Sequence, residues 1–354
     1  MTTPDGPKPH GAGRRSPRSP QSPQSPQSPQ SPQSPQSWRS WHLHLATFAP
    51  VALDAVVTEA VGPLADRLGL LEPDGPPWFF VRYWQGGPHL RLRMAGLTQA
   101  ESDRVEAVLT DRLHALDAAL APSQRLDQHT YARAVHRLAA AGERGVPMAA
   151  GELLPPGVRA AAYEPEHQRY GGRHLIARSE HLFHCSSRVA LRACLARAGT
   201  AHALASGLEA TAAACSVLGG AGPSGSLIRF LKAQRDSWLE WARPEGARAD
   251  SSVDTSRQRA ATARAQVAAL DTLAPRLREA MRGGDPRWAQ WTDPLGTALR
   301  TWTAEFGFAR AAGIFGSHVH MTANRLGVGA GGDARIAALL LALLDPAAAE
   351  PGSD

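Results

Sequence analysis

The chain has 354 residues with 43% hydrophobic and 20% charged content, which is ordinary for a globular protein with a sizeable core. Half of its formal net charge of +6 comes from the first 37 residues, so the remainder lacks the concentrated basic face typical of nucleic-acid-binding proteins. Its three cysteines form no CxxC pair, and no apolar run reaches the roughly 18 residues of a membrane span. We expect a cytoplasmic protein without a membrane span and without direct nucleic-acid binding.

The first 37 residues differ from the rest of the chain. A Ser-Pro-Gln triplet repeats through most of residues 16–37, and such a segment buries too little apolar surface to offset the entropy of ordering it. We therefore predict a disordered tail over residues 1–37, one folded domain over residues 38–346, and a frayed C-terminus over residues 347–354.

Two segments alternate between apolar and polar residues, as half-buried strands do. The first is WRSWHLHLATF, residues 38–48. The second reads WFFVRYW and HLRLRM on either side of a Gln-Gly-Gly-Pro turn, which predicts a hairpin over residues 78–94. Arg82, Arg91 and Arg93 lie on its strands.

Helical spacing dominates the remaining sequence. Residues 51–71, 98–121 and 128–151 predict helices, residues 153–162 form a Pro/Gly-rich linker, and the chain after Gly172 is helical almost to its end. A helical majority around a small antiparallel sheet is an α+β architecture.

The segment His89-Leu-Arg-Leu-Arg93 is unusual because it holds two like charges together. Residues two apart in a strand share a face, so Arg91 and Arg93 project the same way and would repel each other unless an anion lay between them. Guanidinium groups pair well with carboxylates. An exposed basic strand that guards against aggregation is the alternative.

A second segment, YEPEHQRYGG at residues 163–172, combines carboxylates with an arginine ahead of a double glycine. Glu166 could pair with Arg169 and aim it into a cleft, and Gly171–Gly172 permit a turn with positive φ. The alternative is a helix-initiating loop whose charges are merely solvated.

A third segment, GSHVHMTANR at residues 316–325, places His318 and His320 ahead of Asn324 and Arg325. Histidine is the usual proton carrier near neutral pH, and on a helix His320 shares a face with Asn324 while His318 points elsewhere. A buried structural histidine is the alternative, and metal ligation is disfavoured because no acidic residue lies nearby. Farther upstream, Glu180 and His184 have the spacing of an ordinary helical side-chain pair.

Common hydrolase, nucleotide-binding and zinc-peptidase motifs are absent, since the sequence contains no GxSxG, Walker loop, GxGxxG or HExxH. The residues alone therefore indicate an anion-binding arginine site with an acid/base histidine.

Four blocks in order resemble the C-terminal domain of lantibiotic dehydratases, which also occurs as a stand-alone thiopeptide-type bacteriocin biosynthesis protein. The blocks are WFFVRYWQGGPHLRLR (78–93), YEPEHQRYGG (163–172), EHLFHCSS (180–187) and SHVHMTANR (317–325). The resemblance extends from about Trp38 to Gly327. About 76 positions separate Arg93 from Arg169, which is longer than we expect for the fused enzymes and suggests inserted helices.

In that family, a dehydratase half glutamylates Ser or Thr of a precursor peptide from glutamyl-tRNA, and this domain removes glutamate to leave dehydroalanine or dehydrobutyrine. The resemblance thus implies an elimination-type lyase that needs neither a metal nor another cofactor. The catalytic residues it implies are Arg91, Arg93, Arg169 and His320. The substrate-binding residues assigned with them are Arg82, Glu166, Asn324 and Arg325.

The partners implied are a precursor peptide and a separate glutamyl-tRNA-dependent dehydratase subunit, and a homodimer is left open. Two other functions stay open as well. One is a thiopeptide pyridine synthase, which joins two dehydroalanines in a formal [4+2] cycloaddition and expels the leader peptide. The other is a non-catalytic peptide-binding subunit of the modification complex.

Overall fold

The computed structural model describes Met1 and residues 37–72, 75–141, 147–196, 200–242 and 273–344. Apart from Met1 and Ser37, the predicted tail lies outside the described residues, as does the predicted frayed C-terminus. All elements below belong to the unit Ser37–Asp354.

One antiparallel sheet contains four strands in the order β2-β3-β1-β4. Its strands are β1 (Trp38–His44), β2 (Trp78–Tyr83), β3 (His89–Ala95) and β4 (Gly157–Ala160). The predicted hairpin is confirmed as β2 and β3. The predicted linker over residues 153–162 is wrong in part, because it contains β4, which pairs with β1. This edge strand has only 4 residues, too few for alternation to stand out among the prolines and glycines around it.

The register assigns each side chain to a face, because directly paired residues share one. Arg91 lies opposite His42 and Val81, and Arg93 lies opposite Ser40 and Phe79. We call this side the arginine face. Arg82 pairs with Leu90 and therefore lies on the opposite side, which we call the core face.

Helices make up most of the described chain, which confirms the α+β prediction. The helices are α1 (Pro50–Ala55), α2 (Gly62–Leu68), α3 (Gln99–Ala118), α4 (Gln128–Ala141), α5 (Ile176–Ala196), α6 (Thr200–Ala221), α7 (Ser226–Ala242), α8 (Ala274–Gly283), α9 (Ala289–Phe306), α10 (Phe308–Arg325) and α11 (Ala330–Leu344). A π-helical stretch, Val56–Val61, joins α1 to α2, and 3-10 turns occur at Pro122–Gln124 and Pro286–Trp288. Helix α4 is assigned to Ala141, short of the predicted residue 151; residues 142–146 lie outside the described chain, and residues 147–151 are not helical.

Local chemistry explains several boundaries. Helix α3 begins after a capping box, in which the Thr98 hydroxyl accepts from the Glu101 backbone and the Glu101 carboxylate accepts from the Thr98 backbone. Helix α2 ends at Gly69, whose φ of 61° is the left-handed conformation that glycine adopts most easily.

The outer edge of β2 is covered by side chains from α5 and α10, which satisfy its backbone groups. The bonds are Trp78 N to His184 Nδ1 at 3.3 Å, Phe80 N to Ser187 Oγ at 3.2 Å, Arg82 N to Asn324 Oδ1 at 3.0 Å, and Asn324 Nδ2 to Arg82 O at 3.0 Å. Parts of two sequence blocks therefore hold the sheet against the helices.

Among the described residues, only the segment His202–Ala221 of α6 is long and apolar enough to cross a membrane. Within its most apolar window, 67% is buried against the rest of the protein, as in a core helix, so it is weak evidence for a span.

Candidate functional site

Arg93 lies at the centre of the arginine face. It is only 8% exposed, and its guanidinium carbon is 5.2 Å from the centre of the Phe79 ring and 4.9 Å from that of Tyr163. Its Nε has no hydrogen-bond partner, and no carboxylate of the described residues lies within salt-bridge distance of it. Burial, followed by the charge of Arg91, lowers the pKa of Arg93 to about 10, so the group stays charged at neutral pH. A buried cation without a carboxylate partner among the described residues is a candidate binding site for an anion.

Arg169 approaches the same region from the loop between β4 and α5. Its Nη1 lies 3.1 Å from Glu166 Oε2, and its guanidinium carbon is 5.5 Å from the centre of the Tyr170 ring. The loop turns at Gly171–Gly172, where both residues have positive φ. The charge of Glu166 also raises the pKa of Arg93, although the two side chains form no salt bridge. The predicted pairing of Glu166 with Arg169 is confirmed.

Arg91 is held by two neighbours on the arginine face. Its Nε donates to His89 Nε2 at 3.1 Å, and its guanidinium carbon lies 3.5 Å from the centre of the Tyr83 ring. His89 in turn donates from Nδ1 to the Gly87 carbonyl at 2.9 Å, because its Nε2 is the acceptor. The guanidinium is thus oriented from two sides.

Tyr163 was missed by the sequence analysis and contacts the guanidinium of Arg93. The Glu180 carboxylate accepts hydrogen bonds from Tyr163 and Trp38, and burial raises the pKa of Glu180. Glu180 and His184 have the spacing of a helical side-chain pair, but the ring of His184 contacts the backbone of Trp78 instead. The contact between Tyr163 and Glu180 joins distant parts of the sequence and follows only from the tertiary fold.

His320 lies among residues of other helices. Its Nδ1 is 3.1 Å from Asp333 Oδ2 of α11, and its ring centre is 4.3 Å from that of Trp238 in α7. Burial raises the pKa of Asp333, and the charge of His320 opposes that shift. No contact between His320 and the three arginines occurs among the described residues, so the structure does not join all four predicted catalytic side chains by contact.

His318 is the histidine of this segment whose pKa is affected by nearby arginines. It is buried, its ring stacks on Trp302 with centres 5.3 Å apart, and its Nε2 lies 3.3 Å from Ser179 Oγ. Burial, then the charges of Arg325 and Arg169, hold its pKa well below the usual value. His318 is therefore a buried and neutral histidine.

Three predicted substrate-binding residues make internal contacts. Asn324 bonds the backbone of Arg82, and the side chain of Arg82 forms a 2.7 Å ion pair with Asp54. Arg325 is 1% exposed, donates to Ser187 and to the Met321 carbonyl, and has a pKa lowered to about 9 by burial. These contacts hold the helices to the sheet, and a direct role in binding substrate stays a prediction.

A second group on the arginine face consists of His42, His44 and His89, which we call the three-histidine cluster. One ring nitrogen from each lies within 4.8 Å of those of the others. Burial is the main cause that lowers their pKa values, to about 4 for His42, about 4 for His44 and about 2 for His89. The signal in the sequence was His42-Leu-His44, but His89 joins them only through the strand register.

His44 is 1% exposed, and neither of its ring nitrogens has a hydrogen-bond partner among the described residues. The backbone of Gly86 is close enough to raise its pKa, but this effect is smaller than that of burial. A buried polar group without a partner costs about 1–3 kcal/mol.

A cavity of about 220 Å³ lies between α1, α5 and α6. Its wall includes Asp54, Glu59, Cys194 and His202. Asp54 in this wall pairs with Arg82 of the core face, and none of the lining residues lies on the arginine face.

Solved structures resemble this chain over most of its length. "Pyridine synthase, TbtD, from thiomuracin biosynthesis" is 17% identical with a TM-score of 0.61, and the match covers 88% of this chain and 98% of that one. TsrL is 18% identical with a TM-score of 0.58 and coverage of 88% and 95%. At these identities the likeness shows a shared fold alone.

A further match is the tRNA-dependent lantibiotic dehydratase MibB from Microbispora sp. 107891. It is 21% identical with a TM-score of 0.45, and the match covers 89% of this chain and 28% of that one. No curated protein matched the chain in a sequence comparison.

The family model described as "Lantibiotic biosynthesis dehydratase C-term" matches residues 38–344. This match spans nearly all of the predicted folded domain and confirms the resemblance drawn from the four blocks. Members of this family modify ribosomally made precursor peptides together with partner dehydratase subunits. The chain therefore belongs to the lantibiotic biosynthesis dehydratase C-terminal family.

Proposed function

We propose that this chain is a lyase that eliminates glutamate from glutamylated Ser or Thr of a precursor peptide, as one component of a split dehydratase. The observation that carries the proposal is the buried guanidinium of Arg93, whose Nε has no partner and which lies near two further arginines. A carboxylate would supply the missing acceptor, and charge-assisted hydrogen bonds are roughly twice as strong as neutral ones.

The glutamyl group of the substrate matches the charges of the site. A carboxylate of glutamate would bind between Arg93 and Arg169, while Glu166, already beside Arg169, would attract the ammonium. Arg91 would contribute from the neighbouring position on the same strand face. Tyr163 and Phe79 would exclude water around the buried guanidinium.

The reaction is a β-elimination. A base removes the Cα proton of the esterified residue, the electron pair forms the Cα–Cβ double bond, and the Cβ–O bond breaks. Glutamate leaves as a carboxylate, taking the electrons of that bond, and the arginines stabilise its negative charge. The products are a dehydroamino acid, free glutamate and a protonated base.

His320 is the residue we assign as that base. Asp333 accepts a hydrogen bond from Nδ1, which orients the ring and leaves Nε2 with a lone pair, as a carboxylate does for a catalytic histidine. His318 is unsuited to this role because it is buried among aromatic rings and contacts Ser179. For His320 to act as this base, the esterified residue would have to lie between the arginines and α10.

The partners follow from the chemistry. A separate subunit would attach glutamate from glutamyl-tRNA, which places both steps in the cytoplasm, and the precursor peptide would pass between them. This chain would bind the peptide and would not need to bind tRNA itself.

A second candidate is the pyridine synthase reaction, favoured by the fold match that covers 98% of the chain of TbtD. A cycloaddition of two dehydroalanines releases no glutamate, so it leaves the buried Arg93 without an anion. This charge is the reason we prefer elimination.

The deciding experiment offers the purified chain two peptides, one glutamylated and one carrying two dehydroalanines, and identifies products by mass spectrometry. Elimination predicts release of glutamate from the first peptide, and Arg91→Ala should reduce it strongly. The matched control is Arg159→Ala, an exposed arginine of β4 on the same face. Conversion of the second peptide alone would establish the cycloaddition instead.

A further inference from the structure

The three-histidine cluster has the ligand set of a metal site. His42 and His44 are two apart on β1, so both project onto the arginine face, and His89 lies directly opposite His44 on β3. Three imidazoles with a fourth position left to water are the protein ligands of one type of catalytic zinc site. The three nitrogens, within 4.8 Å of one another, need to move only slightly inward to share one ion.

The state of the rings suits coordination. Burial keeps all three imidazoles neutral at neutral pH, the form that binds metals. His44 is 1% exposed and has no hydrogen-bond partner for either nitrogen among the described residues, so an ion would satisfy a buried polar group. His89 donates from Nδ1 to the Gly87 carbonyl, and metal-bound histidines commonly fix their second nitrogen in this way.

Arg91 opposes the binding of a metal ion to the three-histidine cluster, so its substitution tests for such binding. Its Nε donates to His89 Nε2, the nitrogen that an ion would use, so the two compete for one lone pair. The positive charges of Arg91, Arg93 and Arg159 act on the cluster as well and weaken its affinity for a cation.

We propose that His42, His44 and His89 bind one divalent cation of the zinc class, with a fourth coordination position open on the half-exposed side of His42. Imidazole ligands suit zinc, copper and nickel and are poor ligands for magnesium or calcium. Binding displaces Arg91 Nε from His89 and frees the guanidinium. The site does not depend on whether the chain performs elimination or cycloaddition. It departs from the expectation of no metal, which considered only His318 and His320.

The experiment uses the full chain without a histidine tag, stripped with a chelator and titrated with Co²⁺ and then Zn²⁺. Visible absorption of bound Co²⁺ reports coordination by the protein, and calorimetry with Zn²⁺ gives the affinity. The wild type should bind one ion per chain. His42→Gln should weaken binding by at least about tenfold, since even the loss of a partner behind a ligand costs tenfold or more.

Two further variants make the test specific. His114→Gln removes an exposed histidine of α3 and should leave binding unchanged. Arg91→Met removes the competing donor and should tighten binding several-fold, which a misfolded protein would not do. Circular dichroism verifies that each variant is folded. Equal affinity in the wild type and His42→Gln, or no gain in Arg91→Met, would overturn the proposal.

Discussion

Each face of the sheet carries a buried arginine, but only the arginine on the core face has a carboxylate partner among the described residues. On the core face, Arg82 forms an ion pair with Asp54 at 2.7 Å and donates from Nε to the carbonyl of Arg325. On the arginine face, Arg93 is as well buried but has no partner for Nε and no carboxylate within salt-bridge distance among the described residues. The first arginine is satisfied by partners inside the protein, whereas the second is the one we propose to bind an external anion.

The largest effect is expected from Arg93→Met. Elimination should fall by about 10²- to 10³-fold, because the variant loses a preorganised contact with the departing carboxylate. The free energy of unfolding should be unchanged or higher, because a buried charge without a carboxylate partner is removed. Steady-state kinetics and urea unfolding measure the two quantities. A large loss of stability would mean that Arg93 is structural, like Arg82.

On the core face, replacement of arginine by methionine should lower the stability of the protein. Arg82→Met leaves the half-buried Asp54 without its partner and should lower the free energy of unfolding by about 3 kcal/mol. The double variant Arg82→Met/Asp54→Asn should recover part of that loss, since both charges are then gone. Urea unfolding of the two singles and the double gives the coupling. Additive losses would contradict the ion pair.

A smaller effect is expected at Asp333, which touches His320 and none of the arginines. Asp333→Asn should lower kcat by about ten- to a hundredfold with little change in KM, since it disturbs the orientation of the base but not the arginine site. Asp236→Asn, at an exposed carboxylate of α7, is the control. An effect confined to KM would assign Asp333 to binding instead.

The smallest effect concerns the edge of β2, where His184 accepts from the backbone of Trp78. Burial, then the charge of Arg188, lowers the pKa of His184 to about 4 from 6.5. The stability that neutral His184 contributes is therefore present above pH 6.5 and is lost as the pH falls through about 4. His184→Asn, which keeps an acceptor, should flatten this part of the curve of unfolding temperature against pH. An unchanged slope would assign the acid sensitivity to other groups.

Alternation and spacing predicted β1, the hairpin, the shared face of Arg91 and Arg93, and the pair of Glu166 with Arg169. The rest depends on contacts between distant segments. The sequence placed Arg82 on the strand beside the other arginines, but its face and its partner Asp54 follow from register and helix packing.

The histidines illustrate the same limit. In the sequence alone, His318 and His320 were the histidine pair that suggested a function. Only the register of β1 with β3 shows that His42 and His44 lie close to His89. The contact of Tyr163 with Arg93 is equally invisible in sequence, because the loop that carries Tyr163 follows a strand too short to predict.

The most direct test of the central claim is a single-turnover reaction of the purified chain with a glutamylated precursor peptide, followed by mass spectrometry. We predict that the wild type releases glutamate and forms a dehydroamino acid, and that folded Arg93→Met does so about 10²- to 10³-fold more slowly. Release at the wild-type rate by Arg93→Met, or no release by the wild type, would contradict it.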